Sequence, residues 1–482
     1  MVMFPPHDGL QGGSKISDDA SGPHNDSSHN PAISNDSVPR QFQCRGYHRG
    51  VHSHAYRPPF GRLPLRFYPL TSSTANNLTL VPSMHMENLY YFLAVLQIGV
   101  GVYLIWQALQ WLGYVRRRMH IDPGFNAPRV AVFCPCKGLE PGLERNLVSL
   151  TEFNHQNYEI FFILASDSDP AAPVLRRVMA GSRPKAHLIF ADIPQDCGEK
   201  VNNLRVALEQ LPEDFEVLVF ADSDSRPGKA WLQRLTAPLS DARVGATTTM
   251  RWFIPNRNDL ATLLLAAWNA PIVTMLTEKG KNFCWGGGTA IRRSVFEQIG
   301  VLDDWRTSVS DDYSLTRALG RTRRSILFVP ECLTLSFVES SFSGLLEFTN
   351  RQILITRVYA EKMWASAAAT HFLYCLTVLL GLALTIGNAI AQRPAFHIAA
   401  LTFFILLLSA IRSGLRVAGV TEILPASRAQ IMSQSWVYII LTTAVPFLYL
   451  INVINSVVTR KIRWRDIHYE LVSANQTRIV ES

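Results

Sequence analysis

Acidic residues stand where apolar runs stop. Asp222-Ser-Asp224 closes the stretch Phe215-Glu-Val-Leu-Val-Phe-Ala221, and Asp311-Asp312 follows about ninety residues later. Two carboxylates one residue apart at the end of a strand both reach its tip, where they can share a divalent cation that diphosphate oxygens also hold. Such an arrangement suits an enzyme that handles a sugar nucleotide. The later pair opens a polar helical stretch, Tyr313-Ser-Leu-Thr-Arg-Ala-Leu319, and could supply the base that takes a proton from an acceptor hydroxyl. An isolated Asp-x-Asp is common in solvated loops and helix caps, so the reading depends on what accompanies it.

Four companions strengthen it. Gly198-Glu-Lys200-Val-Asn202-Asn203-Leu204 places a cation and two amides at the start of a helix, where phosphate or uridine edges are readily met. Phe161-Phe-Ile-Leu-Ala-Ser166 runs into Asp167-Ser-Asp169-Pro, a second acidic strand tip. Asn282-Phe-Cys284-Trp285-Gly286-Gly-Gly288 is a loop whose backbone can approach a ligand closely, or a tight turn between strands. Arg351 and Arg357 flank Gln352-Ile-Leu-Ile-Thr356 on a helical stretch. Their spacing does not favour one shared helix face, so one of them is expected at the site and the other at a membrane interface.

The elements that must position these residues begin at Arg129. Val130–Phe133, Ile160–Leu164, His187–Phe190 and Glu216–Phe220 are short apolar runs, and helical patterns over 141–152, 170–181 and 200–211 separate them. That alternation predicts a mostly parallel sheet with helices on both faces, and such sheets bind ligands beyond the carboxyl ends of their strands. Val244–Met250 is strand-like. Leu260–Leu276 is an apolar helix expected in the core or on the membrane surface, because a crossing there would put Asp222 and Asp312 on opposite sides of the bilayer.

Of the 482 residues, 48% are hydrophobic and only 17% charged, and the apolar excess falls in blocks. Leu89–Tyr114 carries no charge and is long enough to span a bilayer; Arg116-Arg-Arg118 follows, which predicts a cytoplasmic domain after it. Ala365–Ala391, Ala395–Val417 and Ser435–Val458 are further membrane blocks. Three crossings would leave the basic run Arg460-Lys-Ile-Arg-Trp-Arg465 outside, against its charge, so either one block is re-entrant or interfacial or the tail is an exception to the rule. The domain plan is therefore a disordered tail over 1–87, a spanning helix over 88–115, a catalytic domain over 125–362, membrane segments over 363–460 and a tail over 461–482. The first tail contains sequons at Asn25, Asn35 and Asn77. The net charge of +8 gathers beside the membrane blocks, and no nucleic-acid motif accompanies it. Cys134-Pro-Cys136 has no second pair at zinc spacing, and reduced thiols fit a cytoplasmic domain.

Taken together, Asp167-Ser-Asp169-Pro-Ala, Lys200-Val-Asn-Asn-Leu204, Asp222-Ser-Asp224, Asn282-Phe-Cys284 with its glycines and Asp311-Asp312-Tyr313 resemble the ceramide glucosyltransferase family and its bacterial hopanoid-associated relatives over about 88–360. The resemblance implies an α/β domain of the GT-A nucleotide-sugar-binding type joined to transmembrane helices, a UDP-sugar donor and a divalent cation, Mg or Mn. It implies nucleotide contacts at Asp167 and Lys200, metal and diphosphate contacts at Asp222 and Asp224, and Asp312 as the base; the residues beside them add Asp169, Asn203 and Cys284 as expected donor contacts and Asp311, Arg351 and Arg357 as expected catalytic residues. The acceptor would be a ceramide- or hopanoid-like lipid hydroxyl, and the protein a multi-pass membrane enzyme of a bacterial inner membrane or a eukaryotic Golgi or ER. The family normally ends its site with Gln or Arg, two residues, then Arg-Trp; here Arg351-Gln352-Ile-Leu-Ile-Thr-Arg357-Val-Tyr359 stands instead, with no Arg-Trp pair. A processive polysaccharide synthase and a catalytically silent membrane scaffold are the alternative readings.

Overall fold

The four apolar runs become the parallel half of one seven-stranded sheet, ordered β3-β2-β1-β4-β7-β5-β8. The computed structural model describes residues 73–480, except 123, 125, 126 and 280. Strands β1 (Val130–Pro135), β2 (Tyr158–Leu164), β3 (Ala186–Phe190) and β4 (Val217–Ala221) are joined through helices α2 (Leu143–Leu150), α3 (Ala172–Ala180) and α4 (Glu199–Glu209). β1 and β4 are buried along their whole length, as continuous Val- and Phe-rich runs in a sheet covered on both faces should be. After α5 (Trp231–Thr236) come β5 (Val244–Thr248) and β6 (Arg251–Pro255), then α6 (Leu260–Asn269) and β7 (Gly288–Arg292). β7 runs antiparallel between β4 and β5, which brings the glycine loop to the tip of β4.

Helices α7 (Arg293–Gln298), α8 (Val301–Trp305) and α9 (Asp311–Arg321) follow, then β8 (Ser325–Phe328) and β9 (Thr334–Val338). β6 and β9 form a separate two-stranded parallel sheet. Helix α6 is buried among β6, α10, α14 and α15, so the stretch expected in the core or at the membrane surface is core.

Among the described residues, three helices are long and apolar enough to cross a membrane: the His85–Met119 part of α1 (Ser73–Met119), α11 (Glu361–Ile390) and α12 (Phe396–Ile423). Helix α10 (Phe342–Tyr359) leads into α11, and α13 (Arg428–Ser433) follows α12. The fourth apolar block is not one rod. Ser435–Thr443, which contains α14 (Ser435–Ile440), and α15 (Val445–Val458) meet at a 60° bend. The bend lies beside the middle of α11, where Tyr374 donates to the Thr443 carbonyl at 3.0 Å. The far end of α15 returns to the start of α11, where Trp364 donates to Ser456 at 3.1 Å. The arginine triplet in the last turn of α1 is paired, Arg116 with Glu422 of α12, Arg117 with Glu278 and Arg118 with Glu331.

Two boundaries differ from the sequence reading. Helix α1 starts at Ser73, inside the stretch read as a tail; residues 1–72, with Asn25 and Asn35, lie outside the described residues. The stretch read as a C-terminal tail forms, over its described part, a three-stranded antiparallel sheet, β10 (Lys461–Trp464), β11 (Ile467–Ser473) and β12 (Gln476–Val480). Its basic run alternates: Ile462 and Trp464 point inward while Lys461 and Arg463 point out, which is the period-2 pattern of a half-buried strand.

Candidate functional site

Asp222 and Asp224 sit just beyond β4, both buried, where the parallel strands end. Lys200, in the first turn of α4, reaches across to them. Its Nζ donates to Asp222 Oδ1 at 2.7 Å and to the Gly286 carbonyl at 3.3 Å, and lies 3.4 Å from Asp311 Oδ2. Residues from three distant parts of the sequence are thus joined through one ammonium. Burial opposes the Lys200 charge, but the two carboxylates outweigh it and hold the pKa above its ordinary value.

Asp224 has a different cation. Its Oδ2 accepts from Nη1 of Arg251, a fully buried residue opening β6. Burial pushes the Asp224 carboxyl up to about 8, with Arg251 opposing the rise and Glu140 and Asp222 adding to it. Asp222 Oδ2, Asp224 Oδ1 and Asp311 Oδ1 are buried and have no hydrogen-bond partner among the described residues. Buried acceptors without donors are costly, and a hard cation is what such oxygens accommodate. No group of three or more His, Cys, Asp or Glu able to hold a metal occurs among the described residues. Mg-type sites bridging a nucleotide, however, take one or two carboxylates and draw their remaining ligands from phosphate and water. Asp222 and Asp224 fit that role.

The glycine loop is pressed against these carboxylates. A Cβ at Gly286 would lie 2.3 Å from Asp311 Oδ2 and 2.8 Å from Lys200 Nζ; one at Gly287 would lie 2.4 Å from Asp222 Oδ2. The loop is therefore a close-approach element rather than a simple turn. Gly287→Ala should lower turnover by about 10²-fold by displacing Asp222, an effect of the size expected for a misplacement of about 1 Å; steady-state kinetics beside a thermal melt would separate this from unfolding.

Asp312 sits at the N-terminus of α9. Its Oδ1 accepts from Ser310 Oγ and from the Tyr313 amide at 2.8 Å, which fixes the carboxylate beside Asp311. Asp311 faces Lys200, so the two acids are turned to different partners.

The remaining expected residues divide. Asn203 lines a pocket with Lys137, Glu199 and Lys200. Asp169 accepts from the amides of Gly138 at 2.9 Å and Ala171 at 2.8 Å, tying the loops after β1 and β2 together, while Asp167 is exposed and paired with Arg176. Cys284 is a core residue: burial pushes its thiol up to about 12, and its amide donates to the Thr316 hydroxyl at 2.9 Å. Arg351 is buried beside the site, its pKa pushed down to about 10 by burial, with Arg465 and Arg251 adding to the fall and Glu347 opposing it. Arg357 does not join it. Its Nη1 donates to the Ser456 carbonyl in the last turn of α15, satisfying a helix-end acceptor.

Several site residues were missed. Arg251 lies in an apolar strand without a motif around it. The C-terminal sheet supplies Trp464, Arg465 and Tyr469 to the same pocket as Lys200 and Asn203. The Tyr469 hydroxyl accepts from the Glu199 amide at 3.2 Å, at the N-terminus of α4, and the Arg351 guanidinium lies 5.4 Å from the Trp464 ring centroid. The statement that the chain lacks an Arg-Trp pair is also corrected: Arg460-Lys-Ile-Arg463-Trp464 carries the spacing, on β10, beyond the membrane helices. That spacing was the available signal.

The family model for glycosyl transferase family 21 matches residues 89–477. The chain belongs to this family. Family 21 membership makes it a nucleotide-sugar glycosyltransferase, and its mixed seven-stranded sheet with acidic strand tips is of the GT-A type. Among solved structures, the chain is similar to a mannosyltransferase, PcManGT, from Pyrobaculum calidifontis in complex with GDP-Man and Mn2+, at 17% identity and a TM-score of 0.45. That match covers 70% of this chain and 99% of the other. It is also similar to glucosyl-3-phosphoglycerate synthase from Mycobacterium tuberculosis, at 15% identity and a TM-score of 0.31, over 51% of this chain and 82% of the other.

Proposed function

We propose that this family 21 protein transfers a glucose or N-acetylglucosamine-like sugar from a UDP-sugar to the hydroxyl of a ceramide- or hopanoid-like membrane lipid, with inversion at the anomeric carbon. The observation that supports this reading most is the Lys200 bridge between Asp222 and Asp311, which gathers carboxylates from two distant segments at one set of strand tips. Lys200 and Asn203 hold the nucleotide end of the donor, and Asp222 and Asp224 hold a divalent cation against its diphosphate. That cation, when bound, neutralises charge on the leaving diphosphate. Asp312 takes the acceptor proton while the acceptor oxygen bonds to the anomeric carbon and the bond to the β-phosphate oxygen breaks, its electron pair leaving with UDP. Arg351 adds positive potential on the leaving-group side.

The proposal extends to the membrane arrangement. Crossings by α1, α11 and α12, with the bent α14–α15 pair entering and leaving on the catalytic side, put the basic run 460–465 beside the catalytic domain. In this reading both lie in the cytoplasm, as the positive-inside rule favours for a basic run. A domain held at the bilayer surface meets lipid hydroxyls at high effective concentration.

The test is incubation of the purified protein in lipid nanodiscs with UDP-hexoses and UDP-N-acetylhexosamines, followed by mass spectrometry. A single-sugar adduct on one lipid class is the expected product. Long polymer would indicate a processive synthase, and no transfer from any nucleotide sugar would indicate a binding scaffold.

A further inference from the structure

The two-residue turn between β10 and β11 is Arg465-Asp466, closed by the pair Trp464 and Ile467. Arg465 has a φ of 57°, the left-handed region that hairpin turns ordinarily give to Gly, Asn or Asp. A long cationic side chain held in that conformation points to a use for the side chain, since the turn itself would be better served by glycine. The side chain is only 16% exposed, and its guanidinium donates to Glu140. Glu140 is buried as well, and its other oxygen accepts from Ser223, the residue between Asp222 and Asp224, at 3.2 Å. Arg465 also lines the pocket shared by Lys137, Lys200 and Asn203.

We propose that Arg465, carried by the sheet that follows the last membrane helix, is a binding residue for the donor diphosphate, and that Glu140 holds its place while the site is empty of nucleotide. This rests on the nucleotide-sugar reading given above. When a nucleoside diphosphate enters, its phosphate oxygens offer the guanidinium a bidentate partner of the same sign and geometry as the Glu140 carboxylate. Arg465 then exchanges one anion for the other at the same strand tips. The C-terminal sheet is thereby the third wall of the donor site, beside the strand tips and α4. Tyr469, which accepts from the first amide of α4, keeps that wall in register with Lys200.

The two ends of the ion pair predict opposite results. In the full-length protein with Mn2+ present, Arg465→Gln should weaken UDP binding by about tenfold or more, the usual scale for losing a charge-assisted contact. Its affinity for uridine, which has no phosphate, should match that of the parent protein. Glu140→Gln, which keeps an oxygen for Ser223 while removing the competing charge, should bind UDP about threefold more tightly. Isothermal titration reads both. If the pair were a structural link alone, the two variants would weaken UDP together and uridine with it, and that result overturns the assignment, as does an Arg465→Gln protein with the parent affinity. A parent protein that binds neither UDP nor GDP overturns the nucleotide-sugar reading itself, a distinct outcome from either.

Discussion

Asp312→Asn is expected to lower kcat for sugar transfer by about 10²–10⁴-fold, the range for loss of a general base, while leaving the KM for the UDP-sugar within about threefold of its starting value. The amide keeps the shape of the carboxylate and its acceptor oxygen, so the Tyr313 amide and Ser310 hydroxyl retain their partner and α9 keeps its N-terminus. What disappears is the capacity to take a proton. Asp311→Asn should behave differently, because Asp311 faces Lys200 rather than the helix cap. Its loss should appear in donor KM as well as in kcat. Steady-state kinetics on both variants, varied separately in donor and lipid, would distinguish the roles.

Lys200→Met carries the second large effect, on stability as well as activity. The ammonium is buried between Asp222 and Asp311, and methionine fills its volume without its charge. Removing one partner of a buried ion pair leaves an uncompensated charge and typically costs about 3–5 kcal/mol; here two carboxylates lose the same cation. The variant should melt well below the parent protein. Divalent cation should restore part of the difference, because Asp222, one of the two residues proposed to hold it, then has another positive partner. Thermal denaturation with and without Mn2+ measures both. Equal melting of variant and parent would mean that Lys200 does not hold these acids together.

The sheet was legible where burial on both faces left plain apolar runs. Val130–Phe133, Ile160–Leu164 and Glu216–Phe220 needed only their Val, Ile, Leu and Phe content to be read as strands, and they form the cores of β1, β2 and β4. β7 was hidden because Gly288–Arg292 begins inside the glycine loop and is short; nothing local says that it pairs antiparallel with β4. Arg251 was hidden for a related reason. A lone arginine at the head of Trp-Phe-Ile-Pro has no motif, and its meaning comes only from Asp224 across the fold.

The C-terminal sheet was misread because charge and periodicity pointed different ways. Four basic residues in Arg460–Arg465 suggest a solvated membrane-proximal tail, yet Ile462 and Trp464 alternate with them at strand spacing. The bent α14–α15 pair was foreseen only as one of two ways out of a charge conflict. Hydropathy measures length and polarity, while the 60° bend depends on packing against α11 and α10. Arg351 and Arg357 show the same limit: helix spacing said that both would not face one way, and only the fold said which of them meets Trp464.

The most direct measurement is UDP affinity, with and without Mn2+, for the parent protein, Asp222→Asn/Asp224→Asn and Asp312→Asn. Metal-dependent UDP binding that is lost in the double variant and kept in Asp312→Asn is the predicted result. UDP binding that is indifferent to the double substitution would contradict the placement of the donor diphosphate at the tip of β4.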